Sequence, residues 1–262
     1  MQRLKQFLLS LNFFKLFLYI VYLFINKIKI RFKNSYYLHY VHNYIFINFH
    51  PTKNVLNFFQ AHIDFTKKFI PKKKHVILDV GAGLGSEMLI FSKQVGVKGK
   101  VICLEPDPRL FKVLQYVVEV NKLENTILYK KAFYNKDNFK LKFNLNPIHN
   151  WMANSLDFVE NKKKYFVSTI TIDKIINDHK LSVINFAKFN IEGAEKYLIS
   201  GNKKFLKITK NIVVSCHDFL NKKEYQTYHT VKKILKKHSF KIQKNISDNN
   251  IIKYYIFATK NS

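Results

Sequence analysis

The sequence predicts an α/β protein built on a mostly parallel, seven-stranded sheet with helices on both faces and an antiparallel strand near the C-terminus. Three observations carry this. From about residue 76 onward, short apolar runs alternate with helical patterns, the signature of strand–helix–strand units in a parallel sheet. The first run leads into "DVGAGLGSE" at 79–87, a glycine-rich strand-to-helix turn. The last two runs flank the polar turn "ISDNN", so they read as a closing antiparallel hairpin.

Taken in order, strands are expected at 76–80, 100–104, 126–131, 184–189, 211–215, 239–243 and 252–258, with helices at 86–94, 108–121, 194–200 and 222–238. The interval 133–172 breaks the alternation. It holds two further extended segments, "FKLKFN" and "YFVSTIT", separated by a long loop. An insertion near the carboxyl ends of the strands is expected to cover a substrate.

A chain of 262 residues, 47% hydrophobic, supports one main domain with a short appendage. The formal charge of +28 resembles a nucleic-acid footprint, but among 45 basic residues only Arg3, Arg31 and Arg109 are arginines. Phosphate gripping favours the bidentate guanidinium. A lysine surplus beside abundant Asn, Ile, Phe and Tyr is what an AT-rich coding sequence yields, so a nucleic-acid partner is not expected. Cys103 and Cys216 lie in or just after apolar runs, without metal-ligand spacing, and are read as buried thiols.

Residues 7–25, "FLLSLNFFKLFLYIVYLFI", approach the length of a membrane span, yet Ser10, Asn12 and Lys15 interrupt them and the transfer balance is close to zero. The expectation is a cytoplasmic protein, peripheral to or anchored at the inner face of a membrane through residues 1–33, with Lys27, Lys29, Arg31 and Lys33 near acidic headgroups.

The glycine turn offers free backbone N–H groups and close ligand approach. Dinucleotide folds space their glycines GxGxxG. Here Gly81, Gly83 and Gly85 follow GxGxG, with Ser86 where the third dinucleotide glycine would fall. Asp79, two residues earlier, suits a cationic group such as the α-amino group of S-adenosylmethionine. The next strand ends "VICLEPDP" and places Glu105 where a carboxylate can accept both ribose hydroxyls. Together the two acids favour the methyl donor over NAD.

These stretches, with "STITIDKII" and above all "INFAKFNIEGAEKYLISG", resemble the FkbM family of methyltransferases over roughly residues 70–262. The resemblance implies a class I methyltransferase Rossmann-like fold over 51–262, behind an N-terminal hydrophobic and basic segment at 1–50. It implies O-methylation of a hydroxyl on a glycan, a glycolipid precursor or a secondary metabolite. It also implies a cofactor site formed by Asp79, Gly81, Ala82, Gly83, Gly85, Glu87, Glu105, Pro106, Ala132 and Asn190. Position 190 is commonly Asp in the family, and asparagine can neither take a proton nor bind metal strongly. No metal is expected.

Methyl transfer to an alcohol needs alignment of the acceptor and removal of its proton. Four groups at the carboxyl ends of central strands are candidates for that work: Glu192, Glu195, His217 and Asp218. His217 is read as the base, because histidine titrates near neutral pH, and Glu192 as a positioning group. Trp151, Asn154, Ser155, Lys188 and Glu195 are read as substrate contacts. Two rivals stand beside this reading. A nucleic-acid or protein N-methyltransferase generally carries N/D-P-P-Y/F where this chain reads "NIEG". A non-catalytic, membrane-tethered module of the same fold would be compatible with Asn190.

Overall fold

The computed structural model describes residues 28–144, 155–156, 164–198 and 202–260. The described residues fall into two compact units divided between Val55 and Leu56.

In the first unit, β1 (Lys29–Lys33), β2 (Tyr36–Val41) and β3 (Tyr44–Asn48) form a three-stranded antiparallel sheet. Asn34 and Ser35 both take positive φ, 52° and 67°, the backbone needed to reverse a hairpin in two residues. Leu38, Val41, Phe46 and Ile47 are buried. This sheet lies within the stretch read from sequence as a hydrophobic and basic segment; its strands were not anticipated. The expected membrane segment at 7–25 lies outside the described residues, among which no helix is long and apolar enough to cross a membrane.

The second unit begins with α1 (Leu56–Thr66), followed by β4 (Val76–Val80), α2 (Ser86–Val95), β5 (Lys100–Leu104), α3 (Pro108–Asn121) and β6 (Thr126–Tyr129). Next come β7 (Ala132–Phe133), β8 (Lys140–Asn144), β9 (Ser155–Leu156), β10 (Lys164–Ile170), α4 (Ile172–Asp178) and β11 (Ile184–Phe189). A 3-10 turn (Ala194–Leu198), α5 (Lys203–Ile208), β12 (Thr209–Ser215), α6 (Tyr228–Lys237), β13 (Lys241–Ile242) and β14 (Tyr255–Thr259) complete it.

The main sheet runs β13-β14-β12-β11-β4-β5-β6, and only β14 opposes the common direction. The predicted seven strands and closing hairpin are therefore present. Chain order reverses between β4 and β11, and in open α/β sheets ligands bind at the carboxyl ends beside such a reversal. Helix α3 shows why local sequence suffices there. Asp107 caps it by accepting from the Arg109 N–H at 2.8 Å, Pro108 opens it, and Leu110, Val113, Leu114 and Val117 bury one stripe against the sheet.

Other elements depart from expectation. The helix expected at 194–200 is a 3-10 turn ending at Leu198, and the one expected at 222–238 begins only at Tyr228. Helices α1, α4 and α5 were not anticipated. The strand expected at 239–243 shrinks to two residues, because Ser239 at φ 64° and the Phe240 N–H bond to the Leu235 carbonyl first terminate α6. The two extended segments of the 133–172 interval pair antiparallel as β8 and β10 in a second sheet, β7-β10-β8-β9.

Candidate active site

A cavity of about 460 Å³ opens at the carboxyl ends of β4, β5 and β11. Its walls include Gly81, Gly83, Glu87, Glu105, Pro106, Ala132, Asn190, Glu192 and His217 from the sequence-derived candidates. Asp79, Ala82, Gly85, Lys188, Glu195 and Asp218 do not line it. Trp151 and Asn154 lie outside the described residues, and Ser155 is placed on β9 opposite Asn144.

The glycine turn is shaped by steric necessity. Gly81 sits at φ 79°, and a Cβ there would fall 2.1 Å from the Asn190 carbonyl oxygen. The Gly81 and Ala82 N–H groups donate to the Leu104 carbonyl at 2.9 and 3.1 Å, which ties the turn to β5. Gly85 has a different task. At φ 82°, its missing Cβ makes room for Leu114 and Met88, so it lets α2 approach α3.

Glu105 fastens the same turn from the other side. One carboxylate oxygen accepts from the Gly83 N–H and the other from the Asp107 N–H, each at 2.9 Å. Burial raises its pKa to about 7, outweighing the two backbone hydrogen bonds that favour the anion.

Asp79 departs from its expected role. It is fully buried, and Lys188, directly opposite on β11, places its ammonium 2.9 Å from Asp79 Oδ1. Neither Asp79 oxygen accepts a well-aligned hydrogen bond among the described residues, so the contact is an ion pair without hydrogen-bond geometry. Lys188 Nζ instead donates to the Gly81 carbonyl at 2.7 Å and lies over the Phe65 ring. Burial disfavours the ammonium, but Asp79 and Glu87 outweigh it and hold the Lys188 pKa above its ordinary value. Asp79 thus answers an internal cation, and Lys188 is a buried brace for the glycine turn rather than a substrate contact.

His217 departs as well. Its Nε2 lies 3.1 Å from Glu192 Oε1 and its Nδ1 3.1 Å from Glu195 Oε1. Burial alone would lower its pKa, but hydrogen bonds to Glu192 and Glu195 carry it up to about 10. An imidazolium with both N–H groups committed has no lone pair to offer, so His217 is not a base near neutral pH. Glu195 is fully buried, accepts from the Thr227 hydroxyl at 3.2 Å, and touches no substrate space. Asp218 accepts from the Thr227 and Tyr228 N–H groups, both at 3.0 Å, and caps α6.

Glu192 remains at the cavity wall, its side chain 19% exposed and its backbone at φ 51°. Left-handed backbone at a non-glycine residue is strained and concentrates at functional sites. The sequence missed other wall residues, including Phe65 on α1, Lys131, Phe143, and Tyr255 on β14. The Phe65 and Tyr255 rings stack at 5.0 Å. No motif marks them, since they meet only through the fold.

The sheet order, the glycine turn and the acid ending the second strand of the main sheet define a class I methyltransferase that uses S-adenosylmethionine. The Methyltransferase FkbM domain matches residues 79–242, more than half the chain, and the protein belongs to that family. Among solved structures, the chain is similar to methyltransferase FkbM from Methylobacillus flagellatus, with 15% identity, TM-score 0.47, and coverage of 72% of this chain and 44% of that one. It is also similar to Aeropyrum pernix fibrillarin in complex with S-adenosyl-L-methionine (11% identity, TM-score 0.48, 90% and 100% coverage). A SAM dependent methyltransferase from Aquifex aeolicus is a third (16%, 0.42, 76% and 92%). No curated protein matches the sequence.

Proposed function

We propose that this enzyme transfers a methyl group to a hydroxyl oxygen of a glycan, a glycolipid precursor or a secondary metabolite. The observation that carries the reading is Glu192, a carboxylate on the cavity wall with one oxygen held by the His217 imidazolium. Among the described residues nothing else engages that carboxylate, which leaves it able to accept the proton of an incoming hydroxyl.

The residues present fit the family's cofactor. Gly81 keeps the turn open where a side chain would collide with Asn190, and Glu105 sits at the strand end with its carboxylate on the wall. Bound S-adenosylmethionine supplies an electrophilic methyl group on a sulfonium. In this reading Glu105 accepts from the ribose hydroxyls, while Gly83, Pro106, Ala132 and Asn190 shape the surrounding wall. Glu87 takes the place expected of Asp79 as the carboxylate facing the ligand ammonium, because Asp79 is committed to Lys188. Glu195 and His217 are positioning residues: they fix Glu192 without touching the acceptor.

The test is to incubate the full chain with methyl-labelled cofactor and cell-envelope extract, then locate the label by mass spectrometry. A methyl ether on a sugar or other hydroxyl is expected. Label on nitrogen, or no transfer by a protein that binds the cofactor, would overturn the reading.

A further inference from the structure

The mouth of the cavity has an apolar lip that neither cofactor binding nor proton transfer uses. Leu220 and Ile251 line the cavity, yet they are 40% and 45% exposed. They come from two loops that meet for a topological reason. β12 ends at Ser215 and β14 begins at Tyr255, and these two residues are paired in antiparallel register. The chain leaving β12 and the chain entering β14 therefore emerge side by side, and the Cys216 N–H donates to the Tyr254 carbonyl at 3.3 Å.

The lip is built rather than frayed. Asn245 donates to the Ile252 and Tyr255 carbonyls at 2.8 and 3.0 Å, and Asn249 accepts from the Ile251 and Ile252 N–H groups. On the other side, the Leu220 N–H donates to the His217 carbonyl at 3.0 Å and Asp218 is held by the start of α6. Both loops thus present apolar side chains to water from fixed backbone.

Charge decides what such a lip fits. Exposed Lys222 and Lys223 follow Leu220, and exposed Lys253 follows Ile251; Asp248 is an exposed acid of the second loop. Apolar tips ringed by lysines suit an interface where hydrocarbon lies just beneath anionic headgroups. A nucleic acid would satisfy the lysines but leave Leu220 and Ile251 facing water.

We infer that the Leu220–Ile251 lip, with Lys222, Lys223 and Lys253, docks on a bilayer bearing acidic headgroups and turns the cavity mouth toward the lipid. None of residues 7–25 enters this inference, which is independent of the acceptor proposed above.

A local probe separates the two. In the full chain, Leu220→Cys is labelled with an environment-sensitive fluorophore; Cys103 and Cys216 are buried and escape the reagent. Val97→Cys, 84% exposed between α2 and β5 at the opposite end of the sheet, serves as control. Vesicles of phosphatidylcholine mixed with phosphatidylglycerol are expected to shift the label at 220 to the blue and leave that at 97 unchanged. Vesicles of phosphatidylcholine alone should shift neither label. Adding K222E and K223E is expected to raise the lipid concentration needed for the shift by about thirtyfold or more. A protein that sediments with acidic vesicles while the label at 220 stays unmoved would overturn the inference. So would a shift that follows protein concentration without lipid, which would mark self-association. Cofactor binding, measured in the same variants, reports separately on the methyltransferase site.

Discussion

Asp79 and Lys188 face each other on adjacent parallel strands and meet as an ion pair 2.9 Å apart, with side chains 0% and 1% exposed. The same ammonium donates to the Gly81 carbonyl, so a charge pair inside the sheet sets the glycine turn at its surface. Removing one partner strands the other. Lys188→Met is expected to destabilise the enzyme by about 3–5 kcal/mol, since an unpaired buried charge remains. Asp79→Asn with Lys188→Met should recover much of that loss. Urea denaturation of the single and double variants measures both, and a Lys188→Met protein as stable as wild type would contradict the pairing.

Gly81→Ala is expected to abolish measurable binding of S-adenosylhomocysteine. The added methyl would meet the Asn190 carbonyl at 2.1 Å, backbone against side chain, in a conformation that L-residues rarely adopt. Isothermal titration checks this, with circular dichroism to confirm that the variant is folded.

Cofactor affinity should rise with pH through about 7 and level off above it. Glu105 titrates there, and only its carboxylate form offers full acceptor capacity to a diol. Glu105→Gln should bind more weakly and show a flat pH dependence over the same interval. Titration calorimetry across neutral pH distinguishes the two behaviours.

His217 makes the opposite kind of pH signature. Its pKa is raised in the folded state to about 10 from an ordinary 6.5. Its contribution to stability is therefore fully present below 6.5, declines as pH rises, and is gone above about 10. Melting temperature should fall across that window in wild type, and His217→Gln should lack this component. A turnover profile with an inflection near 6.5 assigned to His217 would contradict its being an imidazolium at neutral pH.

Asp218→Ala should cost about 1 kcal/mol of stability through loss of the N–H contacts that begin α6. Turnover per folded molecule should stay close to wild type. Thermal melts and a specific-activity assay on the same preparation check this together.

Glu192→Gln should lower turnover by about a hundredfold or more while leaving cofactor affinity nearly unchanged, as expected for loss of a general base. Steady-state rates beside titration calorimetry separate these effects.

The sequence by itself determined the seven-strand order of elements, the glycine turn, and Glu105 at the end of the next strand. Each rests on local physics: apolar periodicity, positive φ that glycine tolerates, and caps such as Asp107 before Pro108. The short helices α4 and α5, seven and six residues long, escaped because so few residues carry too little periodic signal; α1 is longer, but its buried stripe of Phe58, His62, Phe65 and Thr66 is half polar and does not read as apolar periodicity. What each charged candidate does was decided only by tertiary structure. Asp79, Lys188, Glu195 and His217 all stand near motif positions, but their partners are remote in the chain: Lys188 meets Asp79, 109 positions away, through the β4–β11 register, and His217 meets Glu195, 22 positions away, where the segments that follow β12 and β11 come together. A carboxylate's role depends on which cation and how much water reach it, and both are properties of the packed interior rather than of residue order.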